Sequence, residues 1–285
     1  MRVRACVRDA QGIIREGTNP RHGENTGGSW KGVKYLVFHL VFTLPLFGVL
    51  TLLCLRKEVF EDGYPPLGVG VVTVIALVYT TPWDSYMIKS GVWRYGDGVV
   101  TARLVEVPLG EYMFFVVQPL IAGFWLYVVL KSTEGRSAGA WTTRWMLAAA
   151  GIGVAAVGWW LTRSEPTFYI GMILVWAGPP LALQWAYGGH YLVRNARALA
   201  AGVVPPTVYL ASVDRFAIEN SLWIISERFT TGVGVLGLPV EEGAFFLVTN
   251  LLVVQGVMLF RWTLDEWRVW VDEYDPLTRL AGLGP

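Results

Sequence analysis

Leu238-Pro239-Val240-Glu241-Glu242-Gly243-Ala244-Phe245-Phe246 sets two adjacent carboxylates at the mouth of an apolar run that stays uncharged to Phe260. Acid at the edge of hydrocarbon is expensive unless hydrated, paired or protonated, so it is a functional feature by default. An ordinary explanation competes, since proline is favoured at the first helical position and first-turn glutamates complement the helix dipole. A second copy shifts the balance. Val107-Pro108-Leu109-Gly110-Glu111-Tyr112-Met113-Phe114-Phe115 lies 131 residues earlier, and both stretches read Pro-x-x-Glu-x-x-Phe-Phe. Asp84 stands nine residues before Trp93 and Asp214 nine before Trp223, with an aromatic residue two after each Asp, Tyr86 and Phe216. Leu120 and Leu251 follow the two prolines by twelve residues. Helix capping requires no Asp or Trp at matched distances. A period of this length is far too long for a solenoid and indicates two related halves.

Of 285 residues, 54% are hydrophobic and 16% charged, against about 25% charged in an average soluble domain. Mean hydropathy is +0.45. The chain therefore reads as an all-α integral membrane protein. A spanning helix needs about 20 mostly apolar residues, and uncharged windows of that kind cover 35–55, 67–83, 112–130, 145–161, 167–193 and 243–260. A further window, 206–225, is apolar apart from Asp214, Arg215 and Glu219. Its charged end belongs in a polar cavity or at the interface, because three such charges against lipid are prohibitive. The formal charge of +1 gives no reason to expect a nucleic-acid partner. Cys6 and Cys54 form neither a disulfide framework nor a metal site.

Seven helices divide as a disordered tail (1–33), a first three-helix repeat (34–131), a linker with the fourth helix (132–163), a second three-helix repeat (164–262) and an interfacial tail (263–285). An odd helix between two three-helix units sets both the same way up, so both Pro-x-x-Glu motifs and both Asp residues fall on one membrane face. The five arginines of the tail favour a cytoplasmic N-terminus in the cell membrane. Aromatic and β-branched residues around Gly96-Asp97-Gly98 predict a small hairpin or compact loop over 91–100. His39, alone in an apolar helix, reads as a packing residue. Gln118 and Thr249, each ten residues after a motif proline, read as glue between helices.

Seven helices invite comparison with retinal proteins, which bind their chromophore through a lysine in the last helix. Here the last lysine is Lys131, so that class is excluded. Asp84 and Asp214 are isolated, without the paired Asp clusters that intramembrane prenyltransferases use to hold Mg²⁺ and diphosphate. No glycine fingerprint for a dinucleotide follows a strand. Neither cofactor nor metal is expected.

Over residues 35–265 the chain resembles the membrane-integral lycopene cyclases, which occur as two small subunits or as one fused chain. That family carries Pro-x-Glu-(Glu/Asp) once per half. Pro239-Val240-Glu241-Glu242 fits it, while Pro108-Leu109-Gly110-Glu111 has Gly110 in place of the first acid. Pro82-Trp83-Asp84 with Gly91-Val92-Trp93, and Asp214 with Trp223, also look like that family. The resemblance implies a proton-initiated, non-redox cyclisation of the ψ-end groups of lycopene to β-ionone rings. Such chemistry needs a carboxylic acid that keeps its proton near neutral pH, which an apolar site and a neighbouring carboxylate favour. Glu242 and Glu111 are then the equivalent acids, Glu241 a partner or base, and Asp84 and Asp214 supports. Trp93, Trp223, Phe114, Phe115, Phe245, Phe246 and Tyr112 are the aromatic groups for substrate and cation. A cyclase of C50 carotenoids and a non-catalytic carotenoid-binding scaffold stay open. So do the order of acid and base, the activity of each half and the oligomeric state.

Overall fold

The computed structural model describes residues 35–60, 66–130 and 141–274. The N-terminal tail with Cys6, most of the expected linker before the fourth helix and residues 275–285 lie outside them. Among the described residues, seven helices are long and apolar enough to cross a membrane. They are α1 (Tyr35–Arg56), α2 (Pro66–Lys89), α3 (Leu109–Val129), α4 (Trp141–Leu161), α5 (Phe168–Arg194), α6 (Ala196–Glu219) and α7 (Val240–Tyr274). Large apolar side chains cover their outer faces, including Val74, Ile75 and Val78 of α2 and Trp159 and Trp160 of α4, all more than half exposed. A helix that is apolar on its inner and outer faces belongs in lipid.

The centre is made by α3 and α7. Helix α3 packs against α1, α2, α6 and α7, and α7 packs against α5, α6, α2 and α3. Across the α3–α7 contact Gln118 Nε2 donates to Asn250 Oδ1 at 2.7 Å, and Asn250 Nδ2 donates to Thr207 Oγ1 of α6 at 3.1 Å. Gln118 thus acts as the expected glue, whereas the Thr249 hydroxyl donates within its own helix to Phe245 O at 2.9 Å.

Helix α4 packs closely on α5 through small residues. A Cβ at Gly158 would lie 2.7 Å from the Gly171 carbonyl oxygen and the Val175 amide, so only glycine permits the crossing. Gly158→Leu is expected to cost about 1–3 kcal/mol through overpacking, read as a lowered unfolding temperature in detergent.

The helix boundaries depart from the uncharged windows at three places. Helix α2 continues through Pro82 to Lys89, which carries Asp84 inside the helix. Helix α6 begins at Ala196, well before 206, and contains Pro205 and Pro206. Prolines are tolerated here because neighbouring helices and local adjustments satisfy the freed backbone groups. It ends at Glu219, so 223–225 is not helical. Helix α7 runs on to Tyr274, so the described part of the expected interfacial tail continues the last helix.

The segment 91–100 does not close a hairpin on itself. Strand β1 (Trp93–Tyr95) pairs antiparallel with β4 (Trp223–Ile225), matching Trp93 with Ile225, Arg94 with Ile224 and Tyr95 with Trp223. Gly96 N extends the contact by donating to Leu222 O at 3.0 Å. The local ribbons lie nearer the motifs. Strands β2 (Arg103–Leu104) and β3 (Val107–Pro108) lead into α3, and β5 (Gly234–Val235) and β6 (Leu238–Pro239) lead into α7.

Candidate active site

Both motif prolines end a short ribbon, and the chain turns at once into a helix. Pro108 is extended (φ −60°, ψ 149°) and makes no side-chain cap. Glu111 and Glu242 therefore stand in the first turns of α3 and α7, and both face one cavity of about 60 Å³. Asp84 of α2 and Asp214 of α6 line the same cavity. The four carboxyls expected on one face thus converge in space, and among the described residues no Lys, Arg or His lines the cavity with them.

Each carboxyl has its own donors. Tyr169 Oη at the start of α5 donates to Glu242 Oε1 at 2.9 Å. Tyr95 Oη of β1 donates to Glu111 Oε1 at 2.8 Å, and the Tyr35 hydroxyl at the start of α1 lies beside the same carboxyl. Trp223 Nε1 donates to Asp214 Oδ1 at 2.9 Å, which explains the nine-residue spacing in the second half. In the first half the spacing serves differently, because Trp93 Nε1 donates to Tyr95 Oη at 3.2 Å. Burial, reinforced by the Glu111 and Asp84 carboxyls, pushes the Tyr95 phenol well above its ordinary value. One oxygen each of Asp84 and Asp214, Oδ2 in both, is buried without a hydrogen-bond partner.

The adjacent glutamates of α7 part company. Glu241, expected beside Glu242 as partner or base, is fully buried but turned away from the cavity. Its Oε1 accepts from Thr231 N at 2.7 Å and Thr231 Oγ1 at 2.8 Å. It ties the preceding loop to the helix start. Glu242 instead accepts from a side chain across the cavity, which is not what dipole complementation alone requires.

Gly110 occupies the first-half position of Glu241, and the structure shows why no side chain stands there. The Tyr35 ring fills the space that a Cβ at Gly110 would need. Tyr35 is held by stacking on His39, with centroids 5.0 Å apart at 20°, and by Trp223 at 5.1 Å. A π-helical turn, His39–Thr43, interrupts α1 at this level. There His39 Nε2 donates to Gly110 O at 2.9 Å. His39 is indeed internal, and its contact fixes the backbone next to Glu111.

Aromatic faces close the cavity. Trp93, Trp223, Phe114, Phe115, Phe245 and Phe246 all line it. Trp83 stacks on Phe245 at 5.8 Å and 6°, and Trp93 tilts against Tyr169 at 5.5 Å. Tyr112 is the exception among the expected aromatics. Its hydroxyl donates to Leu104 O at 3.0 Å on the β2 ribbon, outside the cavity.

Sequence reasoning missed Tyr35, Tyr95 and Tyr169. Tyr35 and Tyr169 each stand at the start of a helix, α1 and α5, and beside one glutamate, Glu111 and Glu242. They stand at different distances from it in sequence, 76 and 73 residues, so they fall out of a fixed-offset comparison.

A lycopene beta-cyclase of Halobacterium salinarum is 48% identical over 204 residues, covering 70% of this chain and 85% of that protein. A bifunctional lycopene cyclase/phytoene synthase of Leptosphaeria maculans is 35% identical over 244 residues, covering 80% of this chain and 41% of that protein. The corresponding bifunctional protein of Phycomyces blakesleeanus is 32% identical over 231 residues, 77% of this chain and 38% of that one. The chain spans about two fifths of these fungal relatives. No protein-family model and no solved structure matches. With 48% identity over 85% of the Halobacterium salinarum protein, and with its carboxyls gathered in one cavity, the chain belongs to the lycopene beta-cyclase family.

Proposed function

We propose that the chain is an intramolecular lyase, an isomerase that closes the ψ-end groups of lycopene to β-ionone rings, giving first the one-ring and then the two-ring product. The observation that carries this is the cavity itself, with four carboxyls, aromatic walls and, among the described residues, no basic side chain. The site is formed at the ends of membrane helices, within reach of a substrate dissolved in lipid.

A carboxyl, Glu242 or Glu111, gives its proton to the terminal double bond and leaves a tertiary cation. The next double bond attacks that cation and closes the six-membered ring. A carboxylate then removes a proton from the adjacent carbon, so no atom or electron is gained or lost. Asp84 lies near Glu111 and Asp214 near Glu242, which supplies each half with a carboxyl pair for giving and taking the proton. The phenols of Tyr95 and Tyr169 hold the glutamates in place. The faces of Trp83, Trp93 and Phe245 stabilise the travelling cation without offering it a nucleophile.

Expression in a lycopene-accumulating host is expected to give β-carotene, and purified protein in liposomes is expected to convert lycopene with nothing added. In D₂O each new ring should carry one solvent deuterium, seen by mass. Lycopene bound but unchanged would identify a scaffold, and conversion of C50 carotenoids alone would move the substrate class. A strict need for reduced flavin would refute the proton-initiated route.

A further inference from the structure

Beside the acid cavity lies a much larger one. Its volume is about 460 Å³, and it runs between α2, α5 and α7. The two share Phe114, Phe115 and Phe245 as a common wall. From Phe245 the groove follows α7 to Thr263, eighteen residues or about 27 Å of helical rise. That is close to the roughly 30 Å thickness of a hydrocarbon core. Val72, Leu252 and Phe260 line it, Leu183 and Ile75 form a rim that is more than half exposed, and a Tyr187 Oη–Thr263 Oγ1 hydrogen bond of 2.7 Å lies at its far end.

We propose that this groove binds the straight polyene of the substrate. One ψ-end passes the phenylalanine wall to the carboxyls, and the remaining chain lies along α7 toward Thr263. The occupant must be long, apolar and unbranched in its overall course. It must also reach an acid cavity far too small to hold the whole of it. A carotenoid meets both conditions, and the exposed rim lets it enter sideways from lipid. Held this way, the molecule presents one end at a time. The second ring therefore needs release and end-for-end rebinding.

The inference rests on the cyclase reading, and its test separates the two. Leu183→Trp and Val71→Trp fill the groove from its lipid side. Both positions lie seven or eight residues, about 10–12 Å, beyond the Tyr79–Trp176 contact that marks the level of Phe245. Neither position is part of the acid cavity. Purified variants with unchanged unfolding temperature are assayed on lycopene and on a ten-carbon acyclic hydrocarbon bearing the same terminal double bonds. For lycopene, kcat/KM is expected to fall about tenfold or more, carried by KM, the mark of lost uniform binding. The short substrate should keep its kcat/KM within about twofold. Equal losses on both substrates, or unchanged lycopene KM in both variants, would overturn the groove and leave the cyclase reading standing. Loss of a co-purifying phospholipid from the variants with lycopene KM unchanged would assign the groove to a bilayer lipid instead. Wild-type protein inert toward both substrates would overturn the groove together with the reading beneath it.

Discussion

Glu242→Gln is expected to accumulate in the membrane at the level of the parent protein and to consume almost no lycopene. If the side chain only complemented the α7 dipole, its amide would cost roughly 0.3–1 kcal/mol and activity would survive. An amide cannot protonate an alkene, and losing a positioned acid costs about 10² to 10⁴ in rate, with more where no water substitutes. Tyr169 can still donate to the amide carbonyl, so the geometry is preserved while the proton is removed. Glu111→Gln is expected to show the same block, because both glutamates face one cavity. The measurement is lycopene remaining and product formed at matched protein levels. Accumulation of the one-ring product in either variant would instead show two separately acting sites. Near-parental β-carotene from both would return the motif to helix capping.

The second large effect is counterintuitive from the sequence. Gly110→Glu would complete the acid pair of the first half and is expected to abolish activity. A Cβ at this position overlaps the Tyr35 ring, which is wedged among His39, Phe38 and Trp223. Overpacking of this kind costs about 1–3 kcal/mol, and a displacement of about 1 Å in a reacting group can cost 10²-fold. Gly110→Ala tests the steric part alone and should already lower kcat. Adding Tyr35→Ala should recover part of the loss in the Gly110→Ala background, measured as a coupling energy in a double-mutant cycle. Additive losses would show that Tyr35 is not the obstacle.

Helix number and type were legible because lipid demands long apolar windows and the chain supplies them. Boundaries were less so. Charge marks a helix end at a membrane surface, yet Asp84 is an acidic residue within α2, turned inward to the shared cavity. The four carboxyls of that cavity were legible from their matched spacing. Their partners were not, since Tyr35, Tyr95 and Tyr169 reach them from other elements, and tyrosine in a membrane chain ordinarily reads as interfacial. The split roles of Glu241 and Glu242 were likewise hidden. Adjacent helical residues project about 100° apart, so one can face a loop while its neighbour faces the cavity. Trp93 lines the cavity, but its register partner Ile225 lies 132 residues away, beyond the reach of local hairpin rules.

That strand partnership bears on how the enzyme could be divided. Every wall of the acid cavity is shared, with α1, α2, β1 and α3 on one side and α5, α6, β4 and α7 on the other. A gene cut between Val129 and Trp141 would yield two polypeptides, neither holding a full set of carboxyls. The β1–β4 ribbon and the Gln118–Asn250 bond would then become contacts between molecules. Turnover in such cells would scale with the product of the two gene doses until one partner saturates, a second-order signature that the continuous chain does not have.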